Sequence, residues 1–277
     1  MLGRMLRELF GGRSRAAQSA RAAAADRLSR LKQVHGRAPL DDHLRILFEG
    51  VQLGGRPLLD LTAQAIEASG SLIPPLKVLH RRFSALCLAR YFVHSLGLEG
   101  RRAECGVYSG CSALTLCLAA KGAMPGFDGY GLHLVDSFAG LSEPGAADAF
   151  VPEGGSDAHA AGPFMPEGNF SIASDHARKA LADFPGVTFH EGWIPQVLAE
   201  LPEGPWSFVH VDVDLYEPTR ACLEHFHPRL CRGGVIVCDD YGSQIFPGAR
   251  RAWDEFCEAN DIGFVVLPTG QSVILRA

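Results

Sequence analysis

The chain has 277 residues, of which 47% are hydrophobic and 21% are charged, and its formal net charge is −5. This length and composition suit one large domain with an appendage. The small negative charge gives no reason to expect specific nucleic-acid binding. The sequence has no run near the roughly 18 uninterrupted apolar residues of a membrane-spanning helix.

The first 37 residues differ from the rest in charge, because they carry nine Arg or Lys and only two acids. Such a segment is a candidate membrane-surface arm, nucleic-acid arm or transit peptide, and the plainer interpretation is a solvated leader. It lacks the apolar stretch of a secretory signal. The eight cysteines form no C-x-x-C pair and fall within apolar patterns, which is typical of buried thiols in a reducing compartment. We therefore expect a cytoplasmic protein.

The predicted elements begin with short helices over 40–70, which would form a cap or an oligomer contact, and one long helix over 76–96. From there strands and helices alternate. The predicted strands cover 103–107, 130–136, 187–190, 208–212, 235–239, 263–267 and 272–275. The predicted helices cover 112–121, 172–183, 195–201, 218–230 and 247–260. This alternation predicts a doubly wound, Rossmann-like α/β sheet that is mainly parallel, and the hairpin signal between the last two strands requires one antiparallel strand.

We therefore assign residues 1–70 to a basic leader and helical extension, and residues 71–277 to the main domain. Within that domain, residues 139–168 form a long loop that is rich in Gly and Pro and also contains aromatic side chains. Loops of this length in compact domains are typically lids or binding segments, so we expect a substrate lid. The alternative is a tolerated surface insertion.

The turn between the first strand of the sheet and its helix contains Glu104, Gly106 and Gly110. Glycines at this place let the backbone approach a nucleotide, and the helix start offers N–H groups to it. The spacing differs from the dinucleotide pattern G-x-G-x-x-G, and the acid before the first glycine would repel a pyrophosphate. It suits a ligand with an amino group, such as S-adenosylmethionine. A tight turn with an incidental acid is the alternative.

Two further strand ends carry candidate cofactor residues. Asp136 ends the next strand, where an acid typically receives the ribose hydroxyls of an adenosine ligand. Gly192 and Trp193 follow the third strand. The glycine permits a close approach, and the Trp ring either borders the cofactor or lies in the core.

Four aspartates follow the strands predicted over 208–212 and 235–239, namely Asp212, Asp214, Asp239 and Asp240. Hard oxygen ligands at the mouth of a sheet suit Mg²⁺ or Ca²⁺ better than zinc. Asp239 and Asp240 can share one ion only if the chain leaves strand geometry there. The alternative is that these acids cap helices and pair with arginines, the candidates being Arg220, Arg250 and Arg251. We interpret the nearby histidines His210, His225 and His227 as structural or surface residues and not as ligands.

Together these motifs resemble the macrocin O-methyltransferase family of class I S-adenosylmethionine enzymes. The resemblance covers about residues 75–277 and rests on five segments, 104–112, 136–141, 192–193, 212–219 and 233–242. It implies a seven-stranded sheet with an antiparallel last strand, Mg²⁺ dependence, and the metal ligands Asp212, Asp239 and Asp240. It implies cofactor contacts at Glu104, Gly106, Ser112, Asp136, Ser137 and Trp193, to which we add Tyr108 and Gly192. The family's Gly-Gly-Ser is Gly110-Cys111-Ser112 in this chain.

These residues lead to one hypothesis, which is Mg²⁺-dependent O-methyl transfer from S-adenosylmethionine to a small-molecule hydroxyl. The expected acceptor is a hydroxyl of a vicinal diol, on a glycosylated or other small-molecule natural product, as the resemblance implies. Asp212 or Asp214 would take the proton, and the sequence leaves both open. Two alternatives are a non-catalytic S-adenosylmethionine-binding module, which has no need for clustered acids, and a nicotinamide-dependent reductase, whose glycine pattern is missing.

Overall fold

The structure is a computed structural model that describes residues 52–53, 56–70, 75–149 and 165–277. The predictions for the basic leader, and for residues 150–164 of the expected lid, lie outside these described residues. No helix in the described part of the chain is long and apolar enough to cross a membrane.

The described elements follow one another in the alternating order that the sequence predicts. They are β1 (Gln52–Leu53), β2 (Arg56–Pro57), α1 (Leu58–Ser69), α2 (Pro75–Ser95), β3 (Arg101–Cys105), α3 (Cys111–Ala123), β4 (Leu132–Asp136), α4 (Asp175–Ala180), β5 (Thr188–Glu191), β6 (Trp206–Val211), α5 (Tyr216–Phe226), β7 (Leu230–Cys238), α6 (Pro247–Ala259), β8 (Val265–Val266) and β9 (Ser272–Leu275). Short 3-10 helices cover Ala146–Asp148, Gln196–Glu200 and His227–Arg229.

Strands β3 to β9 form a seven-stranded sheet in the order β5-β4-β3-β6-β7-β9-β8. The strands β3 to β7 pair in parallel, and β9 is antiparallel to both of its neighbours. This confirms the predicted Rossmann-like, mainly parallel sheet. The strand order reverses between β3 and β6, and ligands of doubly wound sheets bind beside such a reversal, at the carboxyl ends of the strands.

Apolar side chains cover both faces of the sheet, as a buried parallel sheet requires. Successive residues of β7 point to opposite faces, so Val235 packs in the cluster that contains α2 and α3, and Ile236 packs in the cluster that contains α5 and α6. Helix α1 contributes Leu61 and Ala65 to the first cluster. The end of the predicted helical extension therefore packs on the main domain, and the boundary after residue 70 stays a prediction.

Several predicted elements differ from the structure in extent or type. The helix predicted over 218–230 ends at residue 226 and is followed by a 3-10 turn, and the strand predicted over 263–267 covers only Val265–Val266. Strand β7 begins at residue 230 rather than 235, because Gly233, with φ of +79°, lies within the strand, in the stretch where its register with β6 shifts. The helix predicted over 195–201 is a 3-10 helix. The helix predicted over 172–183 is shorter, because Ala182 and Phe184 donate to carbonyls three residues back and tighten the end into turns.

His133 of β4 and His190 of β5 form a pair across the sheet, with 3.0 Å between Nδ1 and Nε2. Burial, with added repulsion from His190 and Arg101, lowers the pKa of His133 to about 4. Burial also lowers the pKa of His190. One ring must be neutral to accept the shared proton, so the pair favours uncharged imidazoles.

Candidate functional site

The carboxyl ends of the central strands surround a cavity of about 710 Å³. A cavity of that size is ample for a cofactor or a drug-sized ligand. Its walls come from the segments 106–112, 135–142, 192–194, 212–215, 239–246 and 269–270, with Met165, Phe170 and Pro218. The cavity therefore lies beside the reversal of strand order between β3 and β6, as the fold predicts.

The glycine turn after β3 forms one wall of this cavity. Gly106 has φ of +87°, and a Cβ there would overlap the carbonyl oxygen of Asp212. Gly110, with φ of +82°, precedes the first turn of α3, which includes Ser112. Gly106 thus permits a close approach of two strand ends, in addition to any approach of a ligand.

Asp136 lines the cavity and also holds the glycine turn in place. Its Oδ2 accepts hydrogen bonds from the N–H groups of Val107 (2.6 Å) and Tyr108 (2.8 Å), and its Oδ1 accepts one from Phe138 (2.7 Å). A carboxylate has about four acceptor positions. Three of them serve the protein backbone, so the predicted ribose contact stays a prediction that depends on the remaining position.

Glu104 lies behind the cavity wall and is fully buried. Its Oε1 is 2.8 Å from Nδ1 of His210, and Nε2 of His210 is 3.6 Å from Oδ1 of Asp239. Burial opposes protonation of His210, but the adjacent carboxylates of Asp239 and Glu104 outweigh it and raise the pKa of His210 well above its ordinary value. Glu104 is not among the cavity-lining residues of the described chain. The predicted cofactor contact of Glu104 therefore stays a prediction.

The acids after β6 and β7 converge on the opposite wall. Asp212 belongs to two groups whose candidate ligand atoms lie within 4.8 Å of one another, one with His210 and Asp239 and the other with Asp214 and Asp240. The predicted set of Asp212, Asp239 and Asp240 is divided between these two groups. Consecutive residues at a strand end point in different directions. Asp239 accepts a hydrogen bond from Gln271, whereas Asp240 accepts one from the backbone N–H of Asp214.

The charges in the second group repel one another. Burial, followed by the negative charges of Asp214, Asp212 and Asp239, raises the pKa of Asp240 well above its ordinary value. Asp214 itself has φ of +62°, a left-handed conformation that costs free energy in a non-glycine residue. Crowded acids and a strained backbone are features of functional sites.

The three arginines that were the candidate partners of these acids form ion pairs within their own helices. Arg220 pairs with Glu224, Arg250 with Asp254 and Arg251 with Glu255, each four residues along its own helix. These surface pairs account for the arginines without the strand-end acids.

The remaining wall is aromatic and apolar. Tyr108, 40% exposed, contacts Phe170 edge to face with ring centroids 6.2 Å apart, and Phe170 contacts Phe246 at 6.3 Å. Leu141, Leu215 and Phe246 form a small buried cluster that Met165 and Ile245 join, and we call these five residues the apolar wall. Trp193 is 41% exposed on the cavity surface, so it borders the cavity and is not a core residue.

The structure brings most of the predicted site residues together. The following predicted residues line the cavity: Gly106, Tyr108, Ser112, Asp136, Ser137, Gly192, Trp193, Asp212, Asp214, Asp239 and Asp240. The apolar wall comes from four separate segments and could not be recognised in the sequence, and neither could the contacts of His210 with Glu104 and Asp239 of neighbouring strands.

Comparisons with known proteins agree with this geometry. The macrocin O-methyltransferase (TylF) family matches residues 77–267. The 8-demethyl-8-(2,3-dimethoxy-alpha-L-rhamnosyl)-tetracenomycin-C 4'-O-methyltransferase of Streptomyces olivaceus is 30% identical over 145 residues, which are 52% of this chain and 54% of that protein. The mycinamicin III 3''-O-methyltransferase of Micromonospora griseorubida is 27% identical over 171 residues, which are 60% of this chain and 63% of that protein. The matched region therefore spans only about half to two thirds of these relatives.

Solved structures show the same fold. The O-methyltransferase NovP has a TM-score of 0.57 at 19% identity, covering 77% of this chain and 88% of that chain. The calicheamicin methyltransferase CalS11 has a TM-score of 0.57 at 21% identity, covering 87% of this chain and 98% of that chain. Because the family match extends over well more than half of the 277 residues, this chain belongs to the macrocin O-methyltransferase family.

Proposed function

We propose that this protein transfers the methyl group of S-adenosylmethionine to a hydroxyl of a small-molecule acceptor, with the help of Mg²⁺. The observation that carries the proposal is the meeting of two unlike walls in one cavity. The glycine turn and Trp193 form a wall suited to the cofactor, and Asp212, Asp214 and Asp240 converge on the other.

The strand-end acids fit a divalent cation, because hard carboxylate oxygens converge within 4.8 Å and repel one another. Asp212 and Asp240 would hold Mg²⁺, and the third ligand would be either Asp239, as the family resemblance implies, or Asp214. Bound there, Mg²⁺ would act as a Lewis acid that lowers the pKa of an acceptor hydroxyl.

The chain's own residues would perform the remaining work. The glycine turn, fixed by Asp136, would position the cofactor, and Trp193 would border it. Asp212 or Asp214 would accept the hydroxyl proton while the acceptor oxygen forms its bond to the methyl carbon and the carbon–sulfur bond breaks. The products are a methyl ether and S-adenosylhomocysteine. Holding both reactants in line would supply much of the acceleration.

The acceptor we propose is a vicinal diol on a sugar attached to an apolar natural product. Two observations support this choice. The apolar wall offers a surface for a hydrophobic body next to the acids. The relatives from Streptomyces olivaceus and Micromonospora griseorubida are named for the methylation of a rhamnosyl tetracenomycin and of mycinamicin III.

The test is release of S-adenosylhomocysteine from a panel of glycosylated and catechol acceptors, with Mg²⁺ or with EDTA. We expect turnover only with Mg²⁺, and loss of turnover in Asp240→Asn. The matched control is Asp183→Asn, an exposed acid that does not line the cavity. Full activity in EDTA would exclude the metal role. A melting temperature raised by a nicotinamide cofactor, with no response to S-adenosylmethionine, would exclude methyl transfer.

A further inference from the structure

Asp148 is a buried acid that the proposed reaction does not use. It lies in the 3-10 turn Ala146–Asp148, between β4 and α4, and its exposed fraction is only 4%. Burying a carboxylate is costly unless hydrogen bonds or charges compensate for the lost hydration. The compensating groups therefore indicate what Asp148 does.

Asp148 caps helix α5 from a distant part of the chain. The residue that precedes the helix is Leu215, whose side chain has no oxygen to accept the free N–H groups of the first turn. Oδ1 of Asp148 accepts the N–H of Tyr216, the first residue of α5, at 2.8 Å. Oδ2 accepts the N–H of Gly145, also at 2.8 Å. Both oxygens are thus engaged, one within its own turn and one across 68 residues.

Helix α6 leaves room for this carboxylate. A Cβ on Gly248, in the first turn of α6, would overlap Oδ1 of Asp148. The starts of α5 and α6 therefore both lie against the acid, and the positive ends of helix dipoles favour a negative charge there. Tyr216 also donates through Oη to Glu255, about two turns further along α6, at 2.5 Å, which joins the two helices.

The segment between Asp212 and Tyr216 is the turn that carries Asp214. Within it, Asp214 has φ of +62° and donates its N–H to Oδ2 of Asp240 at 3.1 Å. The turn enters from β6, where the N–H of Asp212 donates to Cys105, and it ends at the N–H held by Asp148. A strained conformation persists only when its surroundings fix it. Asp148 fixes the downstream end of this turn through its hydrogen bond with the N–H of Tyr216.

We propose that Asp148 is a positioning residue that holds Asp214 and the apolar wall in place, without contributing to the cofactor half of the cavity. Three residues of the apolar wall belong to the segments that meet at Asp148, since Leu141 lies upstream of it, Leu215 precedes Tyr216, and Phe246 precedes α6. The expected effect on catalysis rests on the proposed function. The contacts of Asp148 with Gly145 and Tyr216 do not depend on it.

The test compares three variants, Asp148→Ala, Asp148→Asn and Gly248→Ala. The control is Glu143→Ala, which removes an exposed acid of the same loop. In Asp148→Ala, we expect amide hydrogen exchange at residues 214–217 to rise about tenfold, as the loss of a helix cap implies. With a working acceptor, its KM should rise and kcat should fall, while the Kd of S-adenosylhomocysteine stays within about threefold of the wild-type value.

The other two variants separate positioning from general packing. Asparagine keeps one amide oxygen for the N–H of Tyr216, so Asp148→Asn should recover most of the exchange protection and part of kcat. Gly248→Ala should reproduce the defect of Asp148→Ala, because the added methyl group would overlap the same carboxylate and also crowd the backbone nitrogen of Tyr216.

Unchanged exchange at residues 214–217 in Asp148→Ala would overturn the inference. An equal loss of S-adenosylhomocysteine affinity and acceptor KM would also overturn it, because that result indicates a general structural role. If the wild-type protein transfers no methyl group to any acceptor, the proposed function fails. The exchange measurement on Asp214 and Tyr216 still decides whether Asp148 fixes the turn.

Discussion

The two walls of the cavity use the same residue type in different ways. In the cofactor half, formed at β3 and β4, Glu104 contacts His210 behind the wall, and Asp136 in the wall accepts three backbone N–H groups. In the acid half, after β6 and β7, Asp240 lies among Asp214, Asp212 and Asp239, whose charges raise its pKa. The carboxylates of the first half hold protein groups in place, whereas Asp240 of the second half is buried among other acids that disfavour its charged form.

This difference teaches that the position of an acid at a strand end does not define its role. An acid with donors on both oxygens fixes the backbone, as Asp136 does. An acid that faces other acids creates a negative potential, which a cation can neutralise. The comparison leads to four predictions, beginning with the largest effect.

Asp212→Asn removes the acid shared by both candidate metal groups. We expect methyl transfer to fall by about 10²–10⁴-fold, the range that a positioned acid or base contributes. The affinity for S-adenosylhomocysteine should change little, because the cofactor wall is intact. The measurements are initial rates and calorimetric titration, with Asp183→Asn as the control. If the affinity for S-adenosylhomocysteine fell by as large a factor as the rate, the two halves of the cavity would not have separate roles.

Glu104→Gln removes the negative charge from the buried contact with His210. Removing one member of a buried charged pair should lower the free energy of unfolding by about 3–5 kcal/mol. Urea denaturation of this variant, of His210→Gln and of the double variant measures the coupling. We expect the double variant to be less destabilised than the sum of the two single changes. Strict additivity would show that Glu104 and His210 do not stabilise each other.

His133→Gln tests the pH dependence of the cofactor half. The pKa of His133 in the folded protein is lowered to about 4. In the wild-type protein, the neutral ring therefore contributes to the free energy of unfolding above pH 6.5, and this contribution is lost as the pH falls towards 4. In the variant, the free energy of unfolding should no longer fall by this amount, about 2–3 kcal/mol, between pH 6.5 and 4. Chemical denaturation from pH 4 to 8 measures it, with the exposed His94→Gln as the control. An unchanged slope would mean that His133 titrates normally.

Asp240→Asn tests the opposite slope in the acid half. Because the folded-state pKa of Asp240 is raised, stability is lost as the pH rises through that pKa. In EDTA at pH 8, we expect the variant to be more stable than the wild-type protein by about 1–2 kcal/mol while methyl transfer is lost. Added Mg²⁺ should stabilise the wild-type protein and not the variant. A destabilised variant would show that Asp240 already has a compensating partner.

The fold and most of the cavity wall were predictable from sequence, because both depend on local signals. Alternating strands and helices fix a doubly wound sheet, and residues that follow parallel strands must meet at one edge. Gly106, Asp136, Trp193 and Asp212 all follow from that rule.

Other features depend on contacts between distant segments. Gly233 and Gly234 look like a turn in the sequence, yet they lie within β7, at the shifted register with β6. The division of Asp239 and Asp240 between two groups depends on Gln271 and on the backbone of Asp214. No spacing in the sequence indicates these pairings.

Gly106 lies so close to the carbonyl oxygen of Asp212 that the glycine turn and the backbone of Asp212 cannot move independently. Loops exchanged between relatives at this turn would shift the acid unless the facing strand end is exchanged with them. Met165, Ile245 and Phe246 of the apolar wall lie in segments separate from the glycine turn and from Asp212. Attempts to broaden the range of acceptors should therefore begin at residues 165 and 245–246 and leave the glycine turn unchanged.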